Sequence, residues 1–334
     1  MRPRPESLES VAWLFPGQGT QAAGMGHDLY RESPAARHLL DLADQVLAFP
    51  LTDLLFRGPV ETLQLTVHAQ PAIMAVSLAA FAAFGEAWAA ERDQPLPAPA
   101  FVAGHSVGEY AALVASGAAD TATGLRLVQE RARLMQHAGQ TCPGSMVAVL
   151  GLARQPVAEA CRRARARIPG SFVDVANHNA ATQVIITGDA AGLVEATRLC
   201  QEAGARRCLP LAVSAPFHSA GMASAVEPLG RAVAAAGLGD ATIPLVGNVA
   251  ARPLTAVNDL RRELVQQVAS PVLWVDSVQY MVDAGVRTYV EFGAGQMLAN
   301  LVQRHSGDLR AMAVGEAAAA RQAVSWLAMV RTPR

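Results

Sequence analysis

The sequence predicts an α/β protein in which helices cover a mainly parallel sheet and a small second unit is inserted into the chain. Short apolar runs ending in glycine alternate with Ala/Leu-rich helical stretches, a pattern typical of a parallel sheet packed between helices. Between residues 145 and 212 the predicted order is strand, helix, strand, strand, helix, strand, which is a ferredoxin-like arrangement. We therefore predict a large domain of residues 1–140 and 213–334 and a small domain of residues 141–212.

The predicted strands of the first half lead directly into polar turns. Residues 11–15 form an apolar run followed by FPGQGTQ, and residues 100–103 form a second run followed by GHSVGEY. The proline-rich residues 93–100 cannot continue a helix, so they predict a loop that leads into the second strand. Because α/β folds bind ligands at the carboxyl ends of their strands, we expect the chemistry at these two turns.

The later elements follow from the same patterns. Asp120 is a suitable cap for a helix whose apolar residues recur at helical spacing. In the small unit we predict helices over residues 154–167 and 189–203, and beyond it strands at residues 244–248 and 288–292.

Composition excludes several classes of partner. The chain has 27 Lys+Arg against 28 Asp+Glu, and this formal charge of −1 lacks the cationic excess that nucleic-acid binding requires. The N-terminus has no apolar signal segment, and Gly, Pro or charge interrupts the apolar stretches, so we expect a cytoplasmic protein without a membrane span. The four cysteines lack CxxC spacing and the histidines lack HxxxH or HxH pairs, so no metal site is predicted.

Ser106 is the candidate nucleophile. Gly104-x-Ser106-x-Gly108 follows a predicted strand and precedes a helical run, which is the context of the nucleophile elbow in a hydrolase-like sheet. Small residues on both sides of the serine allow the sharp turn that exposes its hydroxyl. The motif by itself is also compatible with an ordinary tight turn.

A serine hydroxyl needs an imidazole to accept its proton, and His218 in SAPFHSAG is our candidate. It lies at another predicted junction of strand and helix, after the chain returns to the large domain. His105 adjoins the serine, but its side chain should point away, so we expect a structural role for it.

The glycine-flanked turn FPGQGTQ predicts an anion site. Its backbone amides, together with the amide of Val107, could receive the oxyanion of a tetrahedral intermediate. Because the turn lacks a P-loop lysine and the glycine spacing of a dinucleotide fingerprint, nucleotide binding is not expected.

Six motifs together resemble the malonyl-CoA:acyl-carrier-protein transacylases of fatty-acid and polyketide synthesis. They are FPGQGTQ, GHSVGEY, QERARLMQ, SAPFHS, SPVLW and EFGAGQML, in the order of that family and over nearly the whole chain. The resemblance implies that Ser106 takes an acyl group from coenzyme A with His218 as base. It also implies that the phosphopantetheine thiol of an acyl carrier protein then receives that group.

The resemblance further assigns roles by motif position. It places the oxyanion hole at the amides of Gln18 and Val107, and implies that the main-chain carbonyl of Leu273 orients the histidine in place of a carboxylate. Arg131 matches the arginine that pairs with the free carboxylate of a malonyl or methylmalonyl group; a swap with Arg133 stays open.

Three more positions match residues of the family near the substrate. Phe217, directly before the histidine, matches the aromatic residue that accompanies malonyl rather than branched substrates, although APFH departs from the commonest tetrapeptides. Gln70 and Asn179 match positions whose amides could bind the acyl or pantetheine groups, and packing or turn roles are as compatible with the sequence.

The resemblance implies a stand-alone monomer that acts in trans, with malonyl-CoA and an acyl carrier protein as partners and no cofactor beyond the coenzyme A thioester. Two alternatives stay open. A thioester hydrolase would use the same Ser106 and His218 with water as acceptor, and a docking module would be catalytically silent.

Overall fold

Two sheets organise the chain, whose residues 8–213 and 215–330 are described by a computed structural model. The larger sheet consists of β1 Leu8–Phe15, β2 Pro99–Gly104, β7 Leu245–Val246, β8 Pro253–Leu254, β9 Thr288–Phe292 and β10 Arg310–Val314. The smaller sheet consists of β3 Ser145–Leu150, β4 Val173–Ala180, β5 Gln183–Gly188 and β6 Arg207–Pro210.

Helices surround both sheets. They are α1 His27–Glu32, α2 Pro34–Leu47, α3 Leu51–Arg57, α4 Val60–Gln64, α5 Thr66–Arg92, α6 Gly108–Ala115, α7 Thr121–Thr141, α8 Arg154–Arg167, α9 Ala190–Glu202, α10 Ala223–Ala235, α11 Val257–Gln267, α12 Trp274–Asp283, α13 Met297–His305 and α14 Ala317–Val330. A short 3₁₀ turn, Ala220–Met222, precedes α10.

The larger sheet has the order β10-β9-β1-β2-β7-β8, and all its pairings are parallel except β7 with β8. This confirms the α/β fold with a hydrolase-like parallel sheet. In the centre, β1 and β2 pair in register from Ala12–Phe101 to Phe15–Gly104. The turns that follow both strands therefore leave the sheet side by side.

The smaller sheet is antiparallel, with the order β4-β5-β3-β6. Helices α8 and α9 cover one face and share a separate apolar cluster with it, to which Val149, Val157 and Ile186 belong. The order of strands and helices is that of the predicted ferredoxin-like unit. Its boundaries at residues 141 and 212 stay a prediction.

Helix α5 is the longest helix and is apolar on all sides. Its hydropathy and length would suffice to cross a membrane, which the sequence interpretation did not anticipate, but 67% of its most apolar window is buried. It packs against α2, α7 and α14. A helix without a polar face fits such an enclosed position in the core of the fold.

Candidate active site

Ser106 lies in a sharp turn between β2 and α6. Its backbone is left-handed, with φ of +52°. A Cβ atom on Gly104 would lie 2.0 Å from the carbonyl carbon of Gly108, and one on Gly108 would lie 2.1 Å from the carbonyl oxygen of Phe15. No side chain fits at either position, so both glycines are needed for the chain to turn this tightly.

His218 meets Ser106 directly. Its Nε2 atom lies 2.7 Å from the Ser106 Oγ, and its Nδ1 atom lies 2.9 Å from the Gln267 carbonyl oxygen and 3.2 Å from that of Ser270. Since carbonyl oxygens only accept hydrogen bonds, the ring proton belongs on Nδ1. The lone pair of Nε2 is then free to accept the proton of the serine hydroxyl.

The expectation that Leu273 supplies this carbonyl is wrong. Leu273 precedes the first turn of α12, and its oxygen accepts hydrogen bonds from the amide and the hydroxyl of Ser277 instead. Gln267 and Ser270, at the end of α11 and just beyond it, point their carbonyls toward the imidazole because the last carbonyls of a helix lack partners within it. The acceptor is therefore a main-chain oxygen, but on a different segment.

The imidazole of His218 is buried and neutral. Burial, with the positive charge of Arg131 as the next cause, lowers the pKa of His218 to about 3. At neutral pH the ring is therefore unprotonated, which is the state that a general base requires.

Arg131, on α7, is 1% exposed and points toward the serine. Its Nη2 atom donates to the Ser106 Oγ at 3.2 Å and to the Gln267 Oε1 at 2.8 Å, and its Nη1 atom donates to the Gln70 Oε1 at 2.6 Å. All three acceptors are uncharged groups, and Arg131 forms no ion pair with any residue of the described ranges. A buried guanidinium in such surroundings is suited to receive an anion.

Arg133 differs from Arg131 in both exposure and partner. Its side chain is 61% exposed and forms an ion pair with Glu130 at 2.6 Å. It lies on the outer side of α7, so it does not compete with Arg131 for a role in the site.

The turn after β1 lies against the elbow. A Cβ atom on Gly17 would lie 2.6 Å from the His105 carbonyl oxygen, so the two turns are in close contact. Gln18 lines the same cavity as Ser106. Within the described part of the chain, the amides of Gln18 and Val107 have no hydrogen-bond acceptor, and they remain available for an oxyanion.

A cavity of about 330 Å³ opens at Ser106 and His218. The larger sheet and its helices supply one wall, and Met146, Ala148 and Ile185 of the smaller sheet supply the other. Phe217, which is 6% exposed, borders the same space. The reactive serine therefore lies between the two sheets.

The two candidate substrate amides line the cavity but already have protein partners. The Gln70 Oε1 accepts the hydrogen bond from Arg131. The Asn179 Oδ1 lies 2.8 Å from the His105 Nε2. This contact also agrees with the structural role expected for His105.

Asn248 and Gln267 are site residues that the sequence interpretation missed. The Asn248 Oδ1 accepts from the Ser106 amide at 2.7 Å, its Nδ2 donates to the Gly104 carbonyl at 2.6 Å, and the Gln267 Nε2 donates to the Ser106 carbonyl at 3.0 Å. The two side chains thus fix the backbone of the elbow by hydrogen bonds to Gly104 and Ser106. Asn248 was at least recognisable as a polar residue at the end of a predicted strand, whereas one glutamine in a polar helix carries no such signal.

The described residues include no group of three or more His, Cys, Asp or Glu that could hold a metal ion. All four cysteines are free thiols. The site thus combines a serine and an imidazole that line one cavity with two open amides and a buried cation close to the serine.

Known proteins are similar to this chain in sequence and in fold. The family described as acyl transferase domain matches residues 12–322. The malonyl CoA-acyl carrier protein transacylase of Bacillus subtilis is 38% identical over 311 residues, which are 92% of this chain and 94% of the relative.

Solved structures agree with this result. The malonyl CoA-acyl carrier protein transacylase of Coxiella burnetii superimposes with a TM-score of 0.89 at 30% identity, covering 95% of this chain and 97% of the other. A malonyl transacylase solved in complex with its type II PKS acyl carrier protein gives a TM-score of 0.88 at 35% identity, covering 95% and 99%.

Proposed function

Because the chain belongs to the acyl transferase family, and within it to the malonyl-CoA:acyl-carrier-protein transacylases, we propose that it moves a malonyl group from coenzyme A to an acyl carrier protein. The observation that carries this proposal is that His218 and the buried Arg131 both contact the Ser106 Oγ, beside a cavity that Ser106 and His218 line. The hydrolase alternative receives no support from the relatives, which are named transacylases.

In the first half-reaction the Ser106 Oγ attacks the thioester carbonyl carbon while its proton passes to the His218 Nε2. The negative charge on the former carbonyl oxygen is received by the amides of Gln18 and Val107. When the carbon–sulfur bond breaks, the coenzyme A sulfur takes the proton from His218. A malonyl ester of Ser106 and free coenzyme A result.

The second half-reaction reverses these steps with a different thiol. The phosphopantetheine thiol of the carrier protein gives its proton to the His218 Nε2 and attacks the ester carbonyl. The bond to the Ser106 Oγ breaks, and the oxygen regains the proton from His218. The imidazole is neutral at the start and at the end of each half-reaction, which agrees with its lowered pKa.

Arg131 supports the choice of a malonyl group. One methylene separates the free carboxylate of a malonyl group from its thioester carbonyl, and the Arg131 Nη2 lies 3.2 Å from the attacking oxygen. The guanidinium is therefore within reach of that carboxylate once the acyl group is on Ser106, and a planar fork matches a carboxylate in geometry. Phe217 narrows the cavity beside the histidine and favours an unbranched group.

Gln70 and Asn179 fit supporting roles in this scheme. Gln70 holds Arg131 in place, while Asn179 lines the cavity and its amide nitrogen is a donor for an acyl or pantetheine oxygen. We also propose that the protein acts in the cytoplasm as a monomer, with no cofactor other than its coenzyme A substrate. The separate apolar cluster supports residues 141–212 as a small domain.

Intact-mass spectrometry tests the proposal. Wild-type protein mixed with malonyl-CoA should gain one malonyl group on Ser106, and added carrier protein bearing phosphopantetheine should remove it as malonyl-carrier protein. Ser106→Ala should stay unmodified. Release of free malonate without any malonyl-carrier protein would indicate a hydrolase, and a wild-type protein that never gains the group would indicate a silent module.

A further inference from the structure

Two buried carboxyl groups lie beneath the elbow. Glu109 on α6 is 0% exposed, and Glu263 on α11 is 4% exposed. The Glu263 oxygens accept hydrogen bonds from the amides of Val249 and Ala250 at 2.6 and 3.2 Å. Neither carboxyl group forms an ion pair with an arginine of the described residues, so both lack the usual compensation for a buried charge.

These two groups do not ionise together. Burial and the neighbouring Glu263 raise the pKa of Glu109 well above its ordinary value, and burial raises that of Glu263. Adjacent buried carboxyl groups retain one proton between them because two negative charges would repel each other at low dielectric. Glu263 accepts two backbone amides, whereas Glu109 accepts one, from Asn248 at 3.3 Å, so Glu263 is the better place for the negative charge and Glu109 is the protonated partner. The charge of Arg131 is therefore not cancelled by Glu109.

Glu109 contacts an amide that in turn contacts Arg131. The Gln267 Nε2 donates to the Glu109 Oε2 and, at 3.0 Å, to the Ser106 carbonyl. The other end of the same amide, Oε1, accepts from the Arg131 Nη2 at 2.8 Å. Rotating the amide by half a turn would place its oxygen against two acceptors and its NH₂ group against a guanidinium. The proton of Glu109 is directed to Glu263, so the Glu109 Oε2 stays an acceptor and, together with the Ser106 carbonyl, fixes which end of the amide faces Arg131.

We propose that Glu109 is a positioning residue for substrate choice: it orients the Gln267 amide so that Arg131 is held where the substrate carboxylate arrives. This inference rests on the proposed malonyl transfer. It places a selectivity determinant on the elbow helix itself, three residues after the nucleophile. Any change that turns the Gln267 amide should then move the guanidinium and weaken carboxylate recognition.

The test compares malonyl-CoA with acetyl-CoA, which lacks the carboxylate, in rates of acylation of Ser106. Glu109→Met removes the acceptor at similar size, so the malonyl-to-acetyl ratio of kcat/KM should fall at least about tenfold, mainly through a higher KM for malonyl-CoA. Glu109→Gln keeps an oxygen that can accept from Gln267, so its ratio should stay close to wild type. An unchanged ratio in Glu109→Met would overturn the proposal, as would an equal fall in Glu109→Gln.

Glu263→Gln is the matched control, because Glu263 belongs to the same buried pair but, among the described residues, its carboxyl group forms no hydrogen bond with the Gln267 side chain. It should lower the melting temperature and leave the ratio unchanged. If the malonyl-to-acetyl ratio fell as much in Glu263→Gln as in Glu109→Met, the loss of selectivity would come from disrupting the carboxyl pair and not from losing the contact with Gln267. Wild-type protein that forms no malonyl adduct would refute the proposed function before any variant is compared.

A double-mutant cycle separates action through Gln267 from a general disturbance. In a Gln267→Met background, Glu109→Met should have no further effect on the ratio, because the amide that it orients is gone. A full second loss would contradict the proposal. If Glu109→Met does not fold, Glu109→Asp supplies the same comparison, since its shorter side chain moves the acceptor away from Gln267 while keeping the carboxyl group. A malonyl-to-acetyl ratio equal to that of wild type in Glu109→Asp would contradict the proposal.

Discussion

Replacing Arg131 by alanine should convert a carboxylate-selective site into one that barely distinguishes malonyl from acetyl groups. In the present structure the guanidinium is buried among uncharged acceptors, with Nη2 3.2 Å from the Ser106 Oγ. The malonyl carboxylate should complete this set of contacts. A charge-assisted hydrogen bond in such surroundings contributes about 1.5–3 kcal/mol.

That free energy corresponds to a roughly 10- to 150-fold fall in kcat/KM for malonyl-CoA. Acetyl-CoA should lose much less, because it offers no carboxylate and loses only the contact of Arg131 with the serine oxygen. Time-resolved intact-mass measurements of Ser106 acylation with each thioester give both rates. Arg133→Ala is the control, since that exposed residue of the same helix is bound to Glu130 and should leave both rates unchanged.

Equal losses for the two thioesters would refute this reasoning. Arg131 would then act only on the serine or on the fold, through Gln70 and Gln267, and the substrate carboxylate would have another partner. A melting curve of each variant shows whether folding is the cause, because a structural loss would lower the melting temperature along with both rates.

Three further predictions concern the elbow and its base. His218→Ala should slow acylation at least about 10²-fold in the intact-mass assay; a near-normal rate would move the base elsewhere. Because the pKa of His218 is lowered to about 3, the ring keeps its lone pair as the pH falls, so acylation should show no decline through about pH 6.5, the ordinary histidine value; a midpoint there would contradict the assignment. Gly108→Ala should abolish folding or the adduct, since the new Cβ meets Phe15 at 2.1 Å. Gly85→Ala is the control: Gly85 lies within helix α5, a Cβ atom there would have no neighbour within 4 Å, and the variant should fold with an unchanged or higher melting temperature.

Local patterns predicted most of the fold. Strand β9 has the predicted bounds of residues 288–292, and helix α8 those of residues 154–167. Asp120 caps α7 as expected, its side chain accepting from the Thr123 amide. Strand β7 shrinks from five predicted residues to Leu245–Val246, because its pairing with β2 ends where Asn248 turns toward the elbow.

The nucleophile and its base were accessible to sequence reasoning because each belongs to a short motif at a junction of strand and helix. The carbonyl that accepts from His218 could not be predicted in this way, because every residue has a main-chain carbonyl whatever its side chain. The expectation of Leu273 came only from a motif position. Gln267 shows the same limit. Its role depends on how α11 ends beside the elbow, a tertiary relation between residues 161 positions apart.

Both reacting side chains stand on left-handed backbone, since φ is +52° at Ser106 and +58° at His218. Residues other than glycine adopt this conformation at a cost of about 1 kcal/mol each. Glycine at either position would relieve this backbone strain but would remove a reacting side chain. Stabilisation of this protein by replacing residues of positive φ with glycine must therefore leave these two positions unchanged.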